Sequence, residues 1–287
     1  MILERNPGLD AFASRRISLW LHGNMKRARP RRVVMVPAMR TMGWIIPVAA
    51  LAAGLLAAAS AAQPSAVRGA RGEAPAEPVI VELFTAQGCT GCPEANARVE
   101  AVADEPGVIA LTYAVDYWDY LGWPDTFARP EFAQRQRDYR RPLHLRDVST
   151  PQVVIDGRRQ VVGGQADALQ AAIDEEAARR VFPPEIEFRD TGDSVGVGSG
   201  RSPDGGAEVV AVFYTPGSQT VEIASGDNRG RVVRHVNVVR SVRVLGDWGG
   251  RSVLYPLPLA DAGQAVAVLV QAKADRRILN GAVLPQR

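Results

Sequence analysis

The two cysteines of this 287-residue chain, Cys89 and Cys92, are separated by two residues in the stretch TAQGCTGCPEAN, residues 85–96. A pair with this spacing can exchange electrons as a dithiol, hold a metal ion or form a structural disulfide. Closing so short a loop restricts the unfolded chain very little, so a purely structural disulfide would add little stability. The residues around the pair must therefore decide between redox chemistry and metal binding.

A metal site has few other ligands to draw on. Zinc sites with this cysteine spacing usually contain a second cysteine pair or nearby histidines, whereas this chain has three histidines in all. A tetrahedral zinc site is therefore not predicted. A Cu(I) site that uses Cys89, Cys92 and His144 stays open as an alternative, because thiolates suit this soft ion. We otherwise interpret His144 and His235 as structural residues.

The segments on either side of the pair favour a redox dithiol. The apolar run VIVELF (79–84) predicts a buried strand, and Pro93 begins a helical pattern. The amino end of a helix favours an anionic sulfur. We therefore predict that Cys89 is the exposed attacking cysteine and Cys92 the resolving one. Because Thr90-Gly91 contains no histidine to stabilise a thiolate, we expect a reductant or a moderate exchanger.

The positions of Pro151 and Glu82 fit the same chemistry. Thr150-Pro151 precedes the third predicted strand, where a thioredoxin fold places a cis-proline loop beside its cysteines. Glu82 lies within the first apolar strand, where an unpaired buried carboxylate would be costly. Glu82 is predicted either as the proton acceptor for Cys92 or as a hydrogen-bonded structural residue, and the sequence leaves both open.

The segment VDYWDYLGWPDTF (115–127) is rich in aspartates and aromatic residues. A metal cluster of its aspartates is the less favoured interpretation. We instead expect Asp116 and Asp125 to cap turns or helices, and the two tryptophans to line the cleft beside the cysteines. The residues that we assign to substrate binding are Thr150, Trp118, Trp123 and Asp116.

The order of predicted elements up to residue 182 is that of a thioredoxin domain: strand, cysteine pair, helix, strand, helical insert, proline, strand hairpin and helix. Beyond it, short alternating apolar runs are separated by turn signals such as Asp204-Gly205-Gly206 and Pro216-Gly217-Ser218. The predicted fold class is an α/β thioredoxin-like domain followed by a smaller, mainly antiparallel β domain. The predicted divisions are a non-native or disordered extension 1–38, a signal peptide 39–61, a linker 62–77, the thioredoxin-like domain 78–182 and the β-rich domain 183–287.

The signal-peptide prediction depends on the apolar run WIIPVAALAAGLLAAA (44–59) and the Ala59-Ser60-Ala61 cleavage pattern. The run is short for a membrane span, so export to the periplasm or secretion is expected, with membrane attachment only through an uncleaved signal. The first 61 residues carry a net charge of +7 and the remainder −4, so the basic pI of about 9.1 arises from the leader. A nucleic-acid partner is therefore not expected.

Three motifs together resemble a thioredoxin-like family of secreted proteins catalogued as domain of unknown function 1223. They are VELFTAQGCTGCP, VDYWDYLGWPDTF and TPQVVIDG. The similarity continues through NRGR (228–231) and HVNVVRSVRVLGDW (235–248). Here Ala86 and Thr90-Gly91 stand where the family usually has serines, and neither change touches a cysteine or Pro93. The resemblance implies the thioredoxin-like fold and leaves the substrate open.

The function that these observations predict is an exported thiol–disulfide oxidoreductase without a cofactor, acting on protein or small-molecule thiols and disulfides. Two alternatives are kept. One is a periplasmic Cu(I)-binding chaperone or assembly factor that uses Cys89 and Cys92. The other is a non-catalytic binding protein in which the C-terminal β domain contacts the partner.

Overall fold

The computed structural model describes residues 77–162, 165–179 and 182–285. The predicted extension, the signal peptide and all but the last residue of the predicted linker lie outside the described residues. None of the helices in the described ranges is long and apolar enough to cross a membrane.

The described residues contain three α-helices, one 3₁₀ helix and eleven strands. The α-helices are α1 Cys92–Val102, α2 Pro130–Asp138 and α3 Ala166–Arg179, and the 3₁₀ turn is Asp119–Leu121. The strands of the first half are β1 Val79–Thr85, β2 Val108–Ala114, β3 Gln152–Ile155 and β4 Arg159–Val162. The strands of the second half are β5 Ile186–Phe188, β6 Ser194–Val197, β7 Ala207–Glu222, β8 Val232–Trp248, β9 Val253–Pro256, β10 Ala265–Ala272 and β11 Ile278–Val283.

Eight strands form one mixed sheet in the order β11-β10-β7-β8-β2-β1-β3-β4. Strand β2 pairs in parallel with β1 on one side and with β8 on the other, whereas the remaining pairs are antiparallel. A second, antiparallel sheet has the order β5-β6-β9. The protein is therefore an α/β fold with a second antiparallel sheet, which agrees with the predicted class at this level.

The main sheet crosses the boundary that the sequence predicted at residues 182–183. Thr112 of β2 faces Val238 of β8, and the described residues fall in one compact unit. One hydrophobic cluster contains Tyr113 from the first half together with Val212 and Leu269 from the second. The prediction of a separate C-terminal domain therefore differs from the structure. The physical reason is that the outer edge of β2 exposes unpaired backbone groups, which β8 satisfies.

Strand β1 is buried on both faces, which explains its nearly continuous apolar sequence. Ile80 and Phe84 point into the cluster shared with the second half, and Val81 and Leu83 point into the cluster beneath α1 and α3. Glu82 lies on the Ile80 face, because side chains alternate along a strand. The strand thus carries a carboxylate into the shared core and ends at the cysteine turn.

The two predicted glycine turns of the second half have different outcomes. Gly206 donates its N–H to the carbonyl of Pro203 at 2.9 Å, so the turn before β7 is confirmed. The predicted turn at Pro216-Gly217-Ser218 is wrong, because β7 runs through it with a shift in register against β8. Gly217 has a φ of +73° and donates to Oδ1 of Asn237 at 2.9 Å. A bulge tolerates a proline that cannot donate to the sheet.

Candidate functional site

Cys89 and Cys92 are joined by a disulfide between the end of β1 and the start of α1, with their Cα atoms 5.3 Å apart. Cys92 is the first residue of α1, and Pro93 occupies the first turn, where its missing N–H costs no helical hydrogen bond. Cys89 is 2% exposed and Cys92 is fully buried, whereas Thr90 and Gly91 are exposed. In the oxidised protein, the prediction of an exposed Cys89 is therefore wrong, and the accessible part of the turn is the intervening dipeptide.

The predicted proline loop lies directly against this turn. The Thr150-Pro151 peptide bond is cis. A Cβ atom added to Gly91 would lie 3.6 Å from Cδ of Pro151, which shows how closely the two segments pack. The indole Nε1 of Trp118 donates to Oγ1 of Thr150 at 2.7 Å. The structure thus brings the disulfide turn, Thr150, Pro151 and Trp118 together, as the sequence predicted.

Gln136 of α2 holds the approach to this proline loop. Its fully buried amide donates to the carbonyl of Ser149 at 3.0 Å and to Oε1 of Gln152 at 2.8 Å. The same amide accepts a hydrogen bond from the hydroxyl of Tyr117 at 3.1 Å. Because these partners flank Thr150-Pro151 on both sides, the loop is fixed by helix α2 as well as by its own strand.

Gln87 organises the other side of the cysteine turn. It is fully buried, and its side-chain oxygen accepts the indole N–H of Trp123 at 2.8 Å. Its Nε2 donates to Oγ1 of Thr126 at 2.9 Å, and its backbone N–H donates to Oδ2 of Asp125 at 2.6 Å. Trp123 is therefore tied to the residues that precede Cys89. Sequence reasoning missed Gln87, although it lies within the cysteine motif.

The aspartates after β2 mainly shape this segment. Burial raises the pKa of Asp125 to about 6, although backbone N–H groups of Gln87 and Phe127 donate to its carboxylate and oppose the shift. Oδ1 of Asp119 accepts the N–H of Asp125 at 3.0 Å. The carbonyl of Asp116 accepts the N–H of Asp119, so Asp116 begins a turn. The bond from Phe127 to the Asp125 carboxylate is a turn cap of the kind predicted, whereas the bond at Asp116 uses its backbone carbonyl and does not test a cap by its side chain. No contact of the Asp116 carboxylate with the cysteines is found in the described structure.

Glu82 is fully buried and is bonded to helix α2. Nε of Arg135 donates to one carboxylate oxygen at 2.7 Å, and the hydroxyl of Tyr139 donates to the other. Gln271 of β10 completes the network, because its amide donates to the Tyr139 hydroxyl at 2.8 Å and accepts from Arg135 at 3.1 Å. Burial raises the pKa of Tyr139, so its hydroxyl stays protonated as a donor. Of the two predicted roles, these contacts favour the structural one, since the oxygens bond to Arg135 of α2 and to Tyr139 directly after it, and not to Cys92.

The second half of the chain contributes to the cysteine turn through Asn228. This residue is fully buried in the segment between β7 and β8, and its Nδ2 donates to the carbonyls of Gln87 at 2.7 Å and Cys89 at 2.8 Å. Nη1 of Arg231 donates to Oδ1 of Asn228 at 2.9 Å and lies 3.5 Å from the carbonyl oxygen of Thr90. The sequence signal for this contact is the NRGR motif (228–231), which resembles the family but alone predicts no chemical role.

The predicted metal alternatives gain no further ligand from the geometry. Within the described ranges, no group of three or more His, Cys, Asp or Glu residues is placed to hold an ion. His144 lies in the turn after α2, where its φ is +54° and its N–H donates to the carbonyl of Arg141. His235 is buried with both ring nitrogens unbonded, and burial lowers its pKa to about 4. The Cu(I) alternative therefore rests on the two sulfurs.

The fold and the site together define a class of protein: an α/β protein with a Cys-x-x-Cys disulfide at a strand-to-helix turn, packed against a cis-proline loop and clamped by its C-terminal half. More particularly, the chain belongs to the family described as Protein of unknown function (DUF1223), whose family model matches residues 80–271. The family resemblance that the three motifs suggested is thus confirmed.

A solved structure is similar over most of the chain. The chain is similar to a crystal structure from Agrobacterium tumefaciens with 31% sequence identity and a TM-score of 0.61, covering 73% of this chain and 94% of that one. It also matches HBP35 of Porphyromonas gingivalis with 14% identity and a TM-score of 0.48, over 72% of this chain and 74% of that one, a likeness too weak to carry an argument. No curated protein matches the chain.

Proposed function

We propose that this protein is an exported thiol–disulfide oxidoreductase with a thioredoxin-like catalytic core. The observation that carries the proposal is the Cys89–Cys92 disulfide at the start of α1, packed against the cis-peptide bond of Thr150-Pro151. The strand order β2-β1-β3-β4, with β1 and β2 parallel and β3 and β4 antiparallel, fits a thioredoxin-like core. The strands of the second half extend this core from the β2 edge.

The chemistry is a two-electron exchange between dithiols and disulfides. In the reducing direction, the Cys89 thiolate attacks a substrate disulfide, forms a mixed disulfide and releases one substrate thiolate. The Cys92 thiolate then attacks the Cys89 sulfur and releases the second substrate thiolate, so the substrate gains two electrons and the protein disulfide forms. An external dithiol must reduce the protein again. The opposite direction runs through the same mixed disulfide.

The location of the turn restricts how a substrate arrives. Thr90 and Gly91 are exposed, whereas both cysteines are buried in the oxidised state. A substrate therefore approaches over the dipeptide, beside the proline loop, where the indole of Trp118 donates to Thr150. Proteins or small molecules with an accessible disulfide or thiol fit this surface.

The proposal is tested by redox equilibrium and by trapping, with the chain from residue 62 onward. The protein is equilibrated with glutathione buffers, and the ratio of dithiol to disulfide is measured after acid quenching. A Cys92→Ala variant is expected to hold a mixed disulfide with glutathione or a protein substrate, because the resolving thiol is absent. The matched control is the Cys89→Ser, Cys92→Ala double variant, which should trap nothing.

Two results would contradict the proposal. One is a disulfide that dithiothreitol does not reduce in the folded protein, and the other is equal labelling of the trapping variant and its control. The reduced protein is also titrated with Cu(I), and tight binding without exchange activity would favour the copper alternative.

Export is tested by fusing residues 1–61 to a reporter that is active only outside the cytoplasm, and an inactive fusion would contradict export.

A further inference from the structure

The segment between β7 and β8, residues 223–231, contacts the cysteine turn from the second half of the chain; we call it the clamp segment. Ser225 Oγ donates to the carbonyl of Gly122 at 2.6 Å, and a Cβ atom on Gly226 would lie 3.6 Å from Cβ of Trp123. These contacts anchor the clamp segment beside the aromatic loop. They place its last residues, Asn228 to Arg231, over the cysteine turn.

Asn228 acts on the backbone of the turn. Its amide nitrogen donates to the carbonyl oxygens of Gln87 and Cys89 at 2.7 and 2.8 Å, and its side chain is fully buried. The Cys89 carbonyl also accepts the N–H of Cys92 at 3.1 Å. A carbonyl oxygen is the negative end of a peptide dipole, so donors bonded to it reduce its repulsion of a nearby anionic sulfur. The same two hydrogen bonds fix the turn that holds the cysteines together.

Arg231 adds a full positive charge at the rim. Its guanidinium is oriented by Oδ1 of Asn228 at 2.9 Å and lies 3.5 Å from the carbonyl oxygen of Thr90. Of the charged groups on the neighbouring elements, Glu94 of α1 pairs with Arg98 at 2.5 Å and Asp125 accepts two backbone N–H groups. Asp227 and Arg229 of the clamp segment are exposed, whereas Arg231 lies against the carbonyl of Thr90. The charge of Arg231 therefore faces the exposed dipeptide that separates the cysteines.

We propose that Asn228 is a positioning residue for Cys89 and that Arg231 supplies the positive charge that stabilises the Cys89 thiolate in the reduced protein. The clamp segment thus provides the activation that Thr90-Gly91, which lacks a histidine, does not. This inference rests on the proposed thiol–disulfide chemistry and deepens it, because a residue of the second half then controls the reactivity of a cysteine in the first.

The test measures thiolate formation directly and needs no substrate. The predicted mature chain, residues 62–287, is reduced, and the ultraviolet absorbance of the thiolate is followed against pH. Arg231→Gln is expected to raise the midpoint of thiolate formation by about half a pH unit to one unit. Arg231→Lys, which keeps the positive charge, is expected to have a midpoint close to that of wild type. The matched control is Arg229→Gln, an exposed arginine of the same segment, which should leave the midpoint unchanged.

Two further measurements separate charge from structure. Because Arg231 is exposed, the midpoint difference between wild type and Arg231→Gln should shrink as salt is raised. Asn228→Ala, which frees two carbonyl oxygens and the guanidinium, should raise the midpoint at least as far and should also shift the redox equilibrium with glutathione. Circular dichroism establishes that each variant is folded.

An Arg231→Gln midpoint that matches wild type and the Arg229→Gln control overturns the inference, even where Asn228→Ala fails to fold. A shift in Arg231→Gln that Arg231→Lys does not restore overturns the assignment to charge. The outcome is independent of the proposed function, because a protein that traps no mixed disulfide still yields a thiolate titration. If the wild-type protein exchanges disulfides normally but the midpoint of Arg231→Gln is unshifted, the role of Arg231 is overturned and the proposed function stands.

Discussion

The ion pair between Glu82 and Arg135 gives the sharpest test of how the core is held together. Glu82 is fully buried and Arg135 is 6% exposed, and their nearest N and O atoms are 2.7 Å apart. The change is Arg135→Met, which keeps an unbranched side chain but removes every donor. It leaves the hydroxyl of Tyr139 as the remaining described donor to the carboxylate.

The magnitude follows from the burial of the pair. Removing one partner of a buried ion pair costs about 3–5 kcal/mol of unfolding free energy, because the other charge is left uncompensated. Replacing both charged groups removes both desolvation penalties. The double variant Glu82→Leu, Arg135→Met is therefore expected to recover most of the loss, although Gln271 then loses its arginine partner. The non-additivity in this cycle should be on the order of 2–3 kcal/mol.

The assay is urea unfolding of the oxidised protein at neutral pH, followed by fluorescence and circular dichroism. The matched control is Arg137→Met, because Arg137 lies on the same helix but is exposed and bonds to Gln134. The control should change stability by less than about 0.5 kcal/mol. A loss below about 1 kcal/mol for Arg135→Met would refute the reasoning. Separately, a folded Glu82→Gln variant that resolves mixed disulfides at least tenfold more slowly would overturn the purely structural role of Glu82 and favour its role as proton acceptor.

Three further predictions concern buried groups and a tight turn. The pKa of His235 is lowered to about 4, so its contribution to stability is complete above about pH 6.5 and is lost as pH falls towards 4. The wild-type free energy of unfolding should therefore fall by up to about 3 kcal/mol across this range, and acid unfolding curves of His235→Leu should lack that fall. The pKa of Asp125 is raised to about 6, so its contribution to stability falls as pH rises from about 4 to 6. Asp125→Asn should remove this effect, so the free energy of unfolding should rise more steeply with pH in the variant than in wild type, because only the effect of His235 remains. An Asp125→Asn curve parallel to wild type would contradict this. Gly157→Ala should lower the free energy of unfolding in urea by at least about 2 kcal/mol, because φ is +64° and the new Cβ meets the backbone oxygen of Arg276. Gly217→Ala, with a φ of +73° and open space around it, should cost only the conformational strain of about 1 kcal/mol. Equal losses in the two variants would argue against the steric contact.

Local signals were enough to predict the first half of the sheet and the parts of the site that are close in sequence. The apolar run of β1, the proline after Cys92 and the Thr150-Pro151 pair each depend on short-range rules. The structure places these segments together. Trp118 was also predicted to line the cleft beside the cysteines, and its indole donates to Thr150 next to Pro151.

The features that were missed depend on contacts between distant residues. The role of Glu82 could not be chosen from the sequence, because its partners Arg135 and Tyr139 are 53 and 57 residues away and become neighbours only through the fold. The role of Gln87 was missed because nothing local reveals that four residues, Trp123, Asp125, Thr126 and Asn228, bond to its side chain or backbone. The proline and glycine in β7 are read locally as a turn, but the long pairing of β7 with β8 overrides that preference.

The division into two domains failed for the same reason, and this has a consequence for function. A change in strand pattern marks a change in local structure, but it does not show whether the next strands build their own sheet or extend the one before. Here β8 pairs with β2, and the segment that leads into it bonds to the carbonyl of Cys89. A fragment that ends at residue 182 would therefore lose the edge partner of β2, part of the shared core and the clamp on the cysteine turn. The second half is thus part of the site, and a thiol chemistry assigned to the first half alone would omit the residue that holds Cys89 in place.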